Sequence, residues 1–146
     1  MELFMRKRAV ALVLSLLILC VAPMQVFALG TNQVTNSEIG PLWVSITEFT
    51  NSFEISGSGL AQFDTSLYAR SNINKVVINA SIQQYINGSW QTVNSWTSTS
   101  YSNSGYLNQK WYVMSGYYYR LVSTGAVYQD DVLVEQTSYT GSSYWY

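Results

Sequence analysis

From Trp43 onward, apolar and polar positions alternate with a period of two, a spacing that predicts strands rather than helices. Val44, Ile46 and Glu48 alternate with Trp43, Ser45, Thr47 and Phe49, giving a first strand. Phe53–Ser56 begins a second segment, broken at Gly57 and Gly59. Ala61, Phe63, Thr65 and Leu67 then alternate with Gln62, Asp64, Ser66 and Tyr68, and Asn72–Asn74 reads as a turn. The clearest stretch sets Val76, Ile78, Ala80 and Ile82 on one face, with Asn79, Ser81 and Gln83 on the other. It ends at Asn87-Gly88, a strong hairpin signal because both residues tolerate the positive φ of a type I′ turn.

The returning segment, Ser89–Thr97, departs from strict alternation. Trp90, Val93 and Trp96 are spaced by three, which predicts a bulge or a two-sided strand. Ser98–Gly105 reads as a polar loop, and Tyr106–Val113 as a strand with Leu107, Trp111 and Val113 on one face. Ser115-Gly116 turns the chain into Tyr117–Tyr128, the longest predicted strand. Asp130-Asp131 turns it again into Val132–Tyr139, and Tyr144-Trp145-Tyr146 forms a last edge strand.

Seven to eight short strands without helical spacing predict an all-β fold, a single antiparallel β-sandwich over residues 42–146. Gly116-Tyr117-Tyr118-Tyr119 narrows the expectation to an immunoglobulin-like sandwich. Such folds place a tyrosine at the start of a late strand, its hydroxyl bonding back to the preceding corner. Tyr118 or Tyr119 fills that position, although the cysteine pair of antibody domains is absent.

The N-terminal region has a different pattern. Arg6-Lys7-Arg8 precedes the apolar run Ala9–Val21, then Pro23 and the small-residue pattern Val26-Phe27-Ala28. This is the layout of a secretory signal peptide over residues 1–28, with cleavage expected after Ala28. The apolar run is shorter than the roughly 20 residues a spanning helix needs, so no stable membrane span is expected after cleavage. Cys20 follows a bulky Leu19, which disfavours lipidation. Residues 29–41, with Gly30, Gly40 and Pro41, read as a flexible leader. The protein is therefore expected to be secreted and extracellular.

Composition then removes chemistry. The chain has no histidine, and its one cysteine lies in the signal segment. Disulfides, thiolate nucleophiles and thiolate metal sites are thereby excluded from the mature chain, along with the commonest general base. Beyond residue 28, Arg70, Lys75, Lys110 and Arg120 face seven carboxylates, leaving no basic footprint for nucleic acid. All five Trp and all 12 Tyr also lie there, enough ring bulk to build a core without disulfides.

No constellation for catalysis, metal or cofactor binding stands out. Asp130 and Asp131 are adjacent, so their side chains diverge in a turn, and Glu54 and Asp64 have no sequence pattern pairing them in a cleft. The Asp130-Asp131 pair also lacks the spacing of a calcium loop. Trp90 and Trp96 are the candidate ligand-binding residues, because exposed indoles stack on sugar faces beside Asn and Gln amides.

Ile82-Gln83-Gln84-Tyr85, Asn87-Gly88-Ser89-Trp90, Ser95-Trp96, Gly116-Tyr117-Tyr118-Tyr119-Arg120 and Glu135-Gln136-Thr137-Ser138-Tyr139 give residues 76–146 a resemblance. That half of the chain resembles a group of small exported proteins of Gram-positive bacteria with a signal peptide and a β-rich domain. The resemblance implies export and a β fold but supplies no activity and no site residue. The resulting expectation is a secreted, non-enzymatic β-sandwich that binds cell-wall glycan or another extracellular polymer, the alternative being a bacteriocin-like toxin.

Overall fold

The computed structural model describes residues 42–146; the signal-like segment, its cleavage point after Ala28 and the leader lie outside the described residues. Eight strands follow one another: β1 (Ile46–Ile55), β2 (Leu60–Ala69), β3 (Lys75–Ile86), β4 (Ser89–Ser100), β5 (Ser104–Tyr112), β6 (Tyr118–Gln129), β7 (Val132–Thr140) and β8 (Tyr144–Trp145). All pairings are antiparallel. The smaller sheet has the order β1-β2-β5, and the larger has the order β4-β3-β6-β7. The short β8 pairs with β6 at Tyr118 and Tyr119, just past the segment that β7 covers. The described residues are thus all-β, with two antiparallel sheets packed as a sandwich, and contain no helix able to cross a membrane.

Alternation determines which face is buried. On β2 the inward set is Ala61, Phe63, Thr65, Leu67 and Ala69, and on β3 it is Val76, Ile78, Ala80, Ile82 and Gln84. The sheets pack tightly at Gly125, where a side chain would collide with Leu67 of the opposite sheet and press on Phe49. Beside this contact Asn51 carries a polar link between the sheets. Its Oδ1 accepts from Thr65 Oγ1 at 3.0 Å and from Ser123 Oγ at 2.6 Å.

Asn51 also explains a departure from the expected strand boundaries. The break expected between Phe49 and Phe53 is absent, and β1 runs unbroken through Asn51 and Ser52. Turn-forming residues there stay extended because the Asn51 side chain is bonded to the interior rather than to its own backbone. The loop expected at Ser98–Gly105 likewise shrinks to residues 101–103, since β4 continues to Ser100 and β5 begins at Ser104. Strand pairing with β3 holds the Ser/Thr run of β4 extended. β3, β4 and β6 share the greatest length, 12 residues each, so the expected longest strand has two equals. The turns at Asn87-Gly88 and Asp130-Asp131 form as expected, each with two consecutive residues at positive φ.

Two polar contacts tie down the ends of the sandwich. The Tyr119 side chain is 1% exposed; its hydroxyl donates to the Met114 carbonyl at 2.7 Å and accepts from Gln84 Nε2 at 3.1 Å. Of the two tyrosines expected to bond back to the corner before their strand, Tyr119 does so. Burial raises its pKa despite the opposing pull of the Met114 bond, so it remains a donor at neutral pH. At the other tether the Glu135 carboxylate on β7 accepts from the backbone N–H groups of Val44, Ser45 and Ile46 at 2.9, 2.7 and 2.8 Å. It thereby fastens the entry to β1 against the edge strand of the other sheet.

Glu135 gives a pH-dependent prediction. Burial alone would raise its pKa, but the three N–H donors and the charge of Arg70 prevail and lower it below 4.5. A lowered native pKa means stabilisation that is present above the unfolded value and lost as pH falls through the native value. Glu135→Gln should therefore cost about 1–2 kcal/mol in urea denaturation at neutral pH. The gap between variant and wild type should narrow as pH falls below the ordinary carboxylate range and close once the wild-type carboxyl protonates at its lowered native value.

Gly125 gives a steric one. Gly125→Ala should destabilise the fold by about 1–3 kcal/mol, because the added methyl forces Leu67 and Phe49 apart. Paired Gly125→Ala and Leu67→Val substitutions should recover part of that loss in the same denaturation assay.

Candidate functional site

The position of each tryptophan on β4 follows from one extra residue. Ile82 pairs with Asn94 and Gln83 with Thr92, so Val93 is a bulge without a partner on β3. An inserted residue reverses the parity of the strand beyond it. Trp96, opposite Ala80, therefore faces inward, and Trp90, opposite Tyr85, faces outward. The spacing by three noted in the sequence is this bulge.

The structure does not bring Trp90 and Trp96 together. Trp96 is partly buried between the sheets, its ring 5.3 Å from that of Phe63 and 6.1 Å from that of Trp111. Trp90 lies on the outer face of the larger sheet, 5.2 Å from the Tyr85 ring, with the Arg120 guanidinium 4.1 Å over its face. Arg120 is held there by its Nε, which donates to Gln83 Oε1 at 2.9 Å.

Two further rings extend this cluster, and reasoning from sequence did not assign them. The last ladder pair between β3 and β6 is Gln84 with Tyr119, and the same register one residue further sets Tyr85 across from Tyr118. Tyr118 in turn pairs with Trp145 of β8, their rings 4.9 Å apart at 67°. Trp90, Tyr85, Tyr118 and Trp145 thus form one row across β4, β3, β6 and β8. At ordinary strand spacing the row spans about 15 Å. Tyr85, Tyr118 and Trp145 are 42, 46 and 63% exposed, whereas Trp90 is half-covered beneath Arg120. The sequence signal for the row was the cross-strand register, legible only once β8 was known to pair with β6.

Beside the row, the same outer face carries a shallow depression of about 270 Å³ in which Asn79, Ser81, Thr92, Ser95, Ser123 and Thr124 are interleaved with Ala80 and Val122. Its lining offers hydroxyl and amide groups, with Asn79 Oδ1 accepting from Thr97 Oγ1 at 2.7 Å. Aromatic faces and short polar groups therefore adjoin on one surface.

The carboxylates considered in the sequence lie elsewhere. Asp64 and Glu54 share the outer face of the smaller sheet, where both border one depression with Ser52 and Gln62. Asp64 accepts there from Asn108 Nδ2. Asp130 and Asp131 sit in the β6–β7 turn, where Asp130 bonds Asn74 and Asp131 pairs with Lys75 at 2.5 Å. The Asp131 contact raises the pKa of Lys75, which also lies 4.4 Å over the Tyr128 ring.

The two tryptophans should differ in what they support. Trp96→Ala should cost about 2–4 kcal/mol in urea denaturation, because it opens a cavity beside Phe63 and Trp111. Trp90→Ala should cost less than about 1.5 kcal/mol, since its ring lies on the surface with Tyr85 and Arg120 as its principal contacts. Comparison of the chain with family models, curated proteins and solved structures finds no match.

Proposed function

We propose that this is an exported, non-enzymatic, immunoglobulin-like sandwich that binds an extracellular polysaccharide through its aromatic row. The single observation that carries the reading is the alignment of Trp90, Tyr85, Tyr118 and Trp145 across four strands of one outer face. Aromatic rings offer apolar faces to the C–H surfaces of pyranose rings, and neighbouring amides and hydroxyls satisfy sugar hydroxyls. The hydroxyls of Ser81, Thr92, Ser95 and Thr124 in the depression beside the row offer partners for the second half of that chemistry. The immunoglobulin-like class is supported by the β1-β2-β5 and β4-β3-β6-β7 strand orders and by the Tyr119 hydroxyl bonding back to Met114. Export is supported by the N-terminal cationic and apolar pattern, and the bacterial source by the resemblance of residues 76–146.

The rings are tilted rather than coplanar, 56° between Tyr85 and Trp90 and 67° between Tyr118 and Trp145. Such a surface suits a single twisted sugar chain, which meets each ring at a different angle, better than a flat crystalline one.

Retention on isolated, insoluble bacterial cell wall tests the reading. The wild type should sediment with the wall, and Tyr118→Ala with Trp145→Ala should reduce retention at least tenfold while leaving the thermal midpoint within a few degrees. A chain that stays in solution, or a double variant that sediments as well as wild type, would rule this surface out. Killing of neighbouring cells by purified protein, with no retention on wall, would instead favour a toxin.

A further inference from the structure

We infer that the polysaccharide bound by this row is anionic, and that Arg120 is the residue that recognises its carboxylate or phosphate groups. The inference rests on the polysaccharide reading above and adds the charge class of the ligand.

Arg120 is mounted rather than merely present. The guanidinium carbon sits over Trp90, 4.1 Å from the ring centre, and Nε donates to Gln83 Oε1. Both contacts restrict where the group can sit without neutralising it. Among the described residues, the terminal amino groups of Arg120 have no carboxylate or carbonyl acceptor, and the ion pair is Lys75 with Asp131. A guanidinium so held presents a two-pronged donor matched to a carboxylate or phosphate.

The rest of the face makes that charge distinctive. Outward positions on β3 beside it are Ser81, Gln83 and Tyr85, on β4 Trp90 and Thr92, and on β6 Tyr118 and Val122. None is acidic. Lys75 lies at the far end of the same face and is already paired with Asp131. The acidic groups Glu54 and Asp64 are on the other sheet, and Glu135 holds the start of β1. The chain carries a net charge of −1, yet it sets one uncompensated cation beside its aromatic row. A neutral sugar chain could accept hydrogen bonds from it but would leave its charge uncompensated, whereas an anionic chain satisfies both.

The charge is best tested on matched backbones. Polygalacturonate and its methyl ester share one sugar chain and differ in carboxylate charge, and a phosphorylated mannan against plain mannan makes the same comparison for phosphate. Affinity electrophoresis in each of the four polymers should show the wild type retarded at least tenfold more strongly by one charged member than by its neutral partner. Which charged polymer retards it identifies carboxylate or phosphate as the group recognised. Arg120→Gln should abolish the preference while keeping the weak retardation by neutral chain, and Arg120→Lys should restore only part of it. Raising salt to about 0.5 M should erase the wild-type preference, an independent check that does not depend on a variant folding. Equal retardation by charged and neutral partners would overturn the inference and leave the aromatic row standing. Absence of retardation by all four, together with no retention on cell wall, would overturn both.

Discussion

Every feature of the outer face depends on the register of β3. This strand pairs with β4 on one side and with β6 on the other over nearly its whole length, and every second residue from Val76 to Gln84 is buried. A slip of one residue on either side would turn Val76, Ile78, Ala80 and Ile82 outward, a change the core cannot absorb. That demand fixes, without further design, which residues stand in line across the sheet. The aromatic row is a consequence of it: Trp90, Tyr85 and Tyr118 occupy neighbouring outward positions because the inward ones are spoken for.

Holding that register is harder in a chain that has no cysteine among its described residues and two sheets with open edges. Polar tethers, two of them between residues far apart in sequence, take the place a disulfide would occupy. Glu135 joins the entry of β1 to β7, Asn51 joins β1 to Ser123 of β6, and Tyr119 holds the connection before its own strand. Each of these bonds is part-buried, so each is strengthened while its partners stay in position. The tethers thus act as checks on register as well as bonds. The terminal β8 adds a fourth contact, its Tyr144 meeting Phe53 of the smaller sheet edge-on at 5.7 Å.

Much of this was legible in the sequence because the signals are local. Period-two alternation located β2 and β3, an apolar face located β5, and the Ser115-Gly116 and Asp130-Asp131 turns set off β6 and β7. Asn87-Gly88 located a hairpin, and spacing by three left β4 as bulged or two-sided, which the Val93 bulge resolves. What escaped was non-local. The composition of Asn51-Ser52 is that of a turn, and it is strand through ladder pairing with Thr65 and Asp64 of β2 and through the Asn51 bonds to Thr65 and Ser123. The site was half legible for the same reason. Trp90 and Trp96 were visible as large rings, but which of them faces out depends on where the bulge falls between them. Tyr118 and Trp145 could not be joined to Trp90 until β8 had a partner.

Trp90 itself then takes on a different role from the one a solitary surface indole would have. With Arg120 across one face, its ring is less available to a ligand than those of Tyr85, Tyr118 and Trp145. Its contribution is to carry the cation. An arginine on an open sheet has several rotatable bonds to immobilise before it can bind an anion in two-pronged fashion, and that entropy weakens recognition. Stacking on Trp90 and bonding to Gln83 remove most of the freedom before any ligand arrives. The bulge at Val93 is what permits this, because without the reversal of parity Trp90 and Trp96 would share a face and either the core or the arginine would lose its ring.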